Sequence, residues 1–186
     1  MKELKNIYIL IGASGSGKTK ISEILTNEFH LKPLVSYTTR APRFTKEDNH
    51  IFITVDEFHR ITNKAAETFY AGNYYCATKS QVEHSDIYTL DVDGLKSFKK
   101  LYNGSKGYKI IYVDVSNELR IDRMVHRGDS LQEIKKRVEA DNNMLCNVKM
   151  CADFIVNNNH SVMKSVYEIW NYIVYCETGI KLEWIN

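Results

Sequence analysis

Apolar residues fall along this chain in short blocks that alternate between two periods. Asn6 to Ile11 is an unbroken β-branched and aromatic run, the pattern of a strand buried on both faces. Lys18 to Phe29 follows with Ile21, Ile24, Leu25 and Phe29 on one helical stripe. Leu34 to Ser36 reads as a second short strand. After a change of character, regular alternation resumes. Ile87 to Val92 is a predicted strand, Gly94 to Leu101 a helix, Lys109 to Val115 a strand and Glu118 to Val125 a helix. Ser130-Leu131-Gln132-Glu133 matches a capping box, which starts a helix running to about Leu145. Phe154 to Val156 is a last strand. A closing helix spans Ser161 to Cys176, with Val162, Val166, Ile169 and Ile173 inward.

Strands alternating with helices predict an α/β fold, a mostly parallel central sheet covered on both faces. The departure lies between Tyr37 and about Val82, where aromatics, Pro42 and the alternating run Ile51 to Val55 predict a small α+β insertion. Asp56 is the expected cap of a short helix there. The 186 residues suit one domain, with a core of 1–36 and 86–186 and an insertion of about 37–85.

Composition adds exclusions. A net charge of +2, with 26% charged residues, argues against a general nucleic-acid or membrane binder. Cys76, Cys146, Cys151 and Cys176 have neither metal-ligand nor disulfide-framework spacing, and are expected to be buried or half-buried thiols in a reducing compartment. The six histidines form no zinc-binding pattern. Lys2 and Lys5 before Ile7–Ile11 resemble a truncated signal peptide, but the apolar run is too short and leads straight into a glycine loop. The expectation is a cytoplasmic protein, monomer or homodimer.

That loop carries the chemistry. Gly12-Ala13-Ser14-Gly15-Ser16-Gly17-Lys18-Thr19 fits G-x-x-x-x-G-K-[ST] at every fixed position, between a strand and a helix as the motif requires. Glycines let successive N–H groups converge on phosphate oxygens, and the helix behind adds its positive end. Lys18 can reach the β- and γ-phosphates of ATP, and the Thr19 hydroxyl can join a Mg²⁺ shell. Asn63-Lys64-Ala65-Ala66 lacks the aspartate of a GTPase guanine motif, so a small kinase is favoured.

Further on, Arg40 and Arg43, with Pro42 between them, can present two guanidinium forks to one dianionic phosphate. Ser36-Tyr37-Thr38-Thr39-Arg40-Ala41-Pro42-Arg43 closely resembles the S-x-T-T-R-x-P-R signature of guanylate kinases, and the resemblance extends over residues 6–175. It implies a P-loop kinase three-layer fold with a nucleoside-monophosphate-binding insertion, a helical lid over about 126–137, and transfer of the γ-phosphoryl of ATP to GMP or dGMP. By that resemblance Ser36 contacts guanine, and Arg40, Arg43 and Tyr75 (in Gly72-Asn73-Tyr74-Tyr75) grip the acceptor phosphate. Asp91, in Leu90-Asp91-Val92-Asp93, stands beside acceptor and metal, Arg127 and Arg137 serve the lid, and Asn157 lies near adenine.

Three positions depart from the family pattern. His50 stands where a tyrosine is usual, and Ala77 where a serine reads guanine. The base-reading glutamate is assigned to Glu67, although a gapless count from Tyr75 lands on Ala66. Other roles remain open on the residues alone. Arg127 and Arg137 could make helix ion pairs, since Glu133, Arg137 and Asp141 share one face. His50 could be a simple hydrogen-bonding residue, and Asp114 competes with Asp91 for the metal. Two further functions stand beside the first: a kinase for another nucleoside monophosphate, and a non-catalytic binding module of the same fold.

Overall fold

The computed structural model describes residues 3–42, 45, 47–70 and 72–182, without the side chains of 142–144, 146 and 147. Its centre is β1 (Asn6–Ile11), whose residues from Ile7 to Ile11 are all fully buried. A strand apolar on both faces needs cover on both, and each such isoleucine or leucine contributes about 1.5–3 kcal/mol when removed from water. β1 pairs in parallel with β6 (Ile87–Thr89) and β7 (Gly107–Asp114), and β7 with β8 (Phe154–Asn157), giving the order β6-β1-β7-β8.

Alternation along β1 assigns the two layers. Tyr8 and Leu10 meet Ile21 and Leu25 of α1 (Lys18–Phe29) and Val166, Ile169 and Ile173 of α7 (Val162–Thr178). Ile7, Ile9 and Ile11 face Leu95 and Phe98 of α4 (Val92–Leu101) and Leu145 of α6 (Leu131–Met150). Between these lies α5 (Asn117–His126). No helix among the described residues is long and apolar enough to cross a membrane.

The insertion is a second sheet, ordered β3-β2-β5-β4. β2 (Ser36–Thr38) runs parallel to β3 (His50–Phe52) and antiparallel to β5 (Asn73–Thr78), which forms a hairpin with β4 (Lys64–Tyr70). Two short helices attend it, α2 (Val55–Arg60) and α3 (Lys79–Glu83).

Several boundaries differ from expectation for local reasons. Thr54, not Asp56, caps α2, because its hydroxyl accepts from Glu57 N while the Glu57 carboxylate returns the bond. Of the strand expected over Leu34 to Ser36 only Ser36 is in a strand, as the first residue of β2. Pro33 makes a single bridge to Ile87, lacks the N–H to extend a ladder, and the chain crosses to the second sheet at Ser36. β6 stops at Thr89 because Asp91 Oδ1 accepts from Gly94 N at 2.6 Å and opens α4. α6 starts at the expected Ser130 box but continues to Met150. Of the cysteines, Cys76 is buried and Cys176 half-buried, whereas Cys151 is exposed; Cys146 lies outside the described side chains.

Candidate active site

The phosphate loop leaves β1 over a glycine that nothing else can replace. A Cβ on Gly12 would stand 2.5 Å from the Val113 carbonyl oxygen of the neighbouring strand. Gly17 closes the loop at φ 96°, a left-handed conformation, and hands the chain to α1. The Lys18 ammonium curls back over its own loop, donating to the carbonyls of Gly12 (2.8 Å) and Ala13 (3.0 Å). Burial pulls its pKa down to about 8, while the carboxylates of Asp141 and Asp91 act in the opposite sense.

Three side chains from distant elements pin this loop, and the sequence reading found none of them. Buried Asn158 donates to Ser16 O (2.7 Å) and accepts from the Ser165 hydroxyl. Arg123 donates to the Gly15 and Ser16 carbonyls and to Asn158 O. The Asp141 carboxylate accepts from Ser14 N at 2.9 Å and pairs at 2.7 Å with Arg120, whose side chain is 1% exposed. Asparagine, arginine and aspartate inside amphipathic helices and turns carry no local signal of such a role.

Across a groove of about 610 Å³, bordered by Thr19, Ser36, His50, Tyr88 and Thr89, stands the second sheet. Its pairing decides which side chains look inward, because partners across a ladder share a face. Ser36 pairs with His50, Thr38 with Phe52 and Tyr75, and Ala66 with Ala77. The Ser36 hydroxyl lies 3.0 Å from His50 Nδ1, and the His50 and Tyr75 rings are 5.8 Å apart. Arg40 lies over Phe52, interacts with Tyr75, and makes a two-pronged ion pair with Glu47, 2.6 Å at its shorter arm. The Glu47 side chain is 1% exposed, so Arg40 compensates a buried charge. The structure thus brings Ser36, Arg40, His50 and Tyr75 together on one face, with Asp91 beside them in a cavity of about 100 Å³. Arg43 lies outside the described residues.

Glu67 and Ala66 both border that cavity. In the ladder Glu67 pairs with Cys76, on the side of the sheet where Phe58 of α2 stacks on Tyr74. Its carboxylate is drawn to the Lys64 ammonium at 2.9 Å, itself 3.9 Å from the Phe58 ring centroid. Ala66, where the gapless count lands, pairs with Ala77.

Arg127 caps the end of α5 and Arg137 lies in the second turn of α6. Both converge on Asp129, Arg127 by hydrogen bonds and Arg137 at 3.7 Å. Glu133, Arg137 and Asp141 form no ladder of ion pairs, since each has a different partner. Asn157 spends its side-chain oxygen on the N–H and amide of Asn159, a local turn, so it is Asn158 that touches the phosphate loop. Asp114 is paired with Lys149 at 2.8 Å, whereas Asp91 faces the Lys18 side of the cleft.

A parallel sheet ending in a lysine-tipped phosphate loop, faced by a small sheet bearing an arginine and a tyrosine, defines a P-loop protein with two anion-binding surfaces on one cleft. Residues 4–173 match the family model described as guanylate kinase. The guanylate kinase of Porphyromonas gingivalis is 33% identical over 151 residues, covering 73% of this chain and 80% of that protein. That of Geobacter metallireducens is 29% identical over 200 residues, covering 100% and 97%. In fold, the crystal structure of guanylate kinase from Anaplasma phagocytophilum matches with a TM-score of 0.62 at 17% identity, over 96% of this chain and 89% of that one. The chain belongs to the guanylate kinase family.

Proposed function

We propose that the protein transfers the γ-phosphoryl group of ATP to GMP, or dGMP, giving ADP and the diphosphate. One observation carries the reading: Thr19, the last residue of the phosphate loop, borders the same groove as Ser36 and His50, and those two share a cavity with Tyr75 and Asp91. Two anions bound on the two sides of that groove could be aligned for an in-line displacement.

The acceptor phosphate oxygen attacks the γ-phosphorus, the bond to the β,γ-bridging oxygen breaks, and ADP leaves. That oxygen is already a nucleophile, so no general base is required. His50, engaged with Ser36, is an orienting group rather than a proton acceptor. Lys18 and the loop N–H groups from Gly12 to Thr19 bind the donor phosphates, with Asn157 in the turn on the adenine side. Arg40, Arg43 and Tyr75 hold the acceptor phosphate. Arg127 and Arg137 exchange Asp129 for the transferring group as the segment 126–137 closes, which stabilises charge and excludes water. Thr19 and Asp91 suit Mg²⁺, which takes one or two protein oxygens and shares the remainder with substrate phosphates and water. The ion would neutralise charge on the donor phosphates. A coupled assay of ADP release with ATP, Mg²⁺ and GMP tests this; release that does not depend on GMP overturns it.

A further inference from the structure

In the acceptor cavity Tyr75, which interacts with Arg40, marks the end that grips phosphate. Ser36, two residues before the strand partner of Tyr75 and so roughly 7 Å along the strand, marks the other. The apolar part of the lining is Ala66, which is 2% exposed and backed by its fully buried partner Ala77, with Leu90; Thr68, Tyr88 and Thr89 line it too.

Guanine presents two adjacent donors, the N1 hydrogen and the 2-amino group, which a single carboxylate can accept together. Two carboxylates border this cavity, and neither is aimed at its base end. Glu67 lies on the opposite face of the hairpin, held by Lys64. Asp91 has Oδ1 committed to Gly94 N and interacts with Lys18. Besides these carboxylates the lining offers single hydroxyls, those of Ser36 (engaged with His50), Thr68 and Thr89, and the Ala66 methyl group; none of them accepts two adjacent donors as a carboxylate does.

We infer that Ala66, backed by buried Ala77, gives the base a wall that does not read the 2-amino group, so the enzyme accepts 6-oxopurine monophosphates as a class rather than GMP alone. The inference rests on the kinase reading for its reaction but not for its binding. A site built to pair with a substrate donor rejects an analogue lacking it by about 10⁴–10⁵, whereas an apolar wall discriminates by about a hundredfold or less.

The test compares GMP with IMP, which lacks only the 2-amino group. Binding is measured by calorimetry on the full chain, and kcat/KM by ADP release. GMP and IMP are expected within about a hundredfold of each other in both, and Glu67→Gln should leave that ratio unchanged. A larger preference for GMP overturns the proposal, and its collapse in Glu67→Gln would assign selectivity to that carboxylate. Ala66→Glu should raise the GMP-to-IMP ratio at least tenfold. If a carboxylate there prevents folding, Ala66→Ser takes its place with a smaller rise, and no rise in a folded variant refutes the wall. Should GMP and IMP bind alike while neither supports ADP release, the kinase reading fails and this one stands. Should neither bind, this one fails.

Discussion

The two anion-binding surfaces of this protein are built on opposite principles. The donor loop is embedded: the strand before it has no exposure, and Asn158, Arg123 and Asp141 hold its backbone from three other elements. The acceptor face sits on a small sheet whose hairpin end is open to water, with Phe69 62% and Tyr70 55% exposed. Its Arg40 is steadied by buried Glu47 and by the Phe52 and Tyr75 rings. Fixed dipoles serve where charge develops during transfer, because they need no reorganisation. A lightly packed platform serves where a substrate must enter and leave.

Breaking the embedded side should cost most. Lys18→Ala is expected to lower kcat at least about 100-fold, the scale of a lost transition-state contact, with an unchanged melting temperature. Equal losses of activity and stability would show instead that the lysine holds its own loop together. Arg40→Ala comes next. It should raise KM for the monophosphate about 10–100-fold while leaving KM for ATP alone, since hydrogen bonds to charged groups contribute about 1.5–3 kcal/mol. It should also lower the melting temperature, because buried Glu47 loses the two-pronged ion pair with Arg40, and Arg40→Lys should recover part of both.

The smallest effect sharpens the comparison. Lys18 must be protonated to attract phosphate, and in the free protein its pKa is lowered to about 8, mainly by burial. ATP affinity should therefore fall about fourfold as pH rises from about 7 through 8 to about 8.5, in proportion to the ammonium lost. Asp141 and Asp91 face this ammonium as anions, Arg127 and Arg120 as cations. Asp141→Asn keeps an acceptor for Ser14 N but removes a charge that favours the protonated form, so the fall should begin at lower pH. Titrating ATP binding in both proteins checks the sign; an unmoved midpoint would mean that Asp141 acts only through the loop's shape.

How far the chain could be read beforehand follows from the range of the interactions. The strand, phosphate loop and first helix are contiguous, and the Ser130–Glu133 box lies within four residues, so both were legible. The loop's tethers were not, because Asp141, Asn158 and Arg123 stand 127, 142 and 108 residues from their partners. The choice between Ala66 and Glu67 was illegible for a different reason. The Tyr70–Asn73 pairing sets the hairpin register, and a shift of one residue exchanges the faces of Ala66 and Glu67. No local pattern fixes that register when Ala65 and Ala66, just before Glu67, are alike, small and buried.

The bond from Glu67 N to the Ser97 hydroxyl, 2.9 Å long, gives the edge of the hairpin a mechanical companion. Ser97 belongs to α4, and α4 opens at Asp91, beside the Lys18 ammonium. A rocking motion of the insertion must either drag that helix along or shear the Glu67–Ser97 tie. The helix is therefore placed as a connecting rod, tied at Ser97 to the hairpin that bears Tyr75 and capped by Asp91, whose carboxylate favours the Lys18 ammonium.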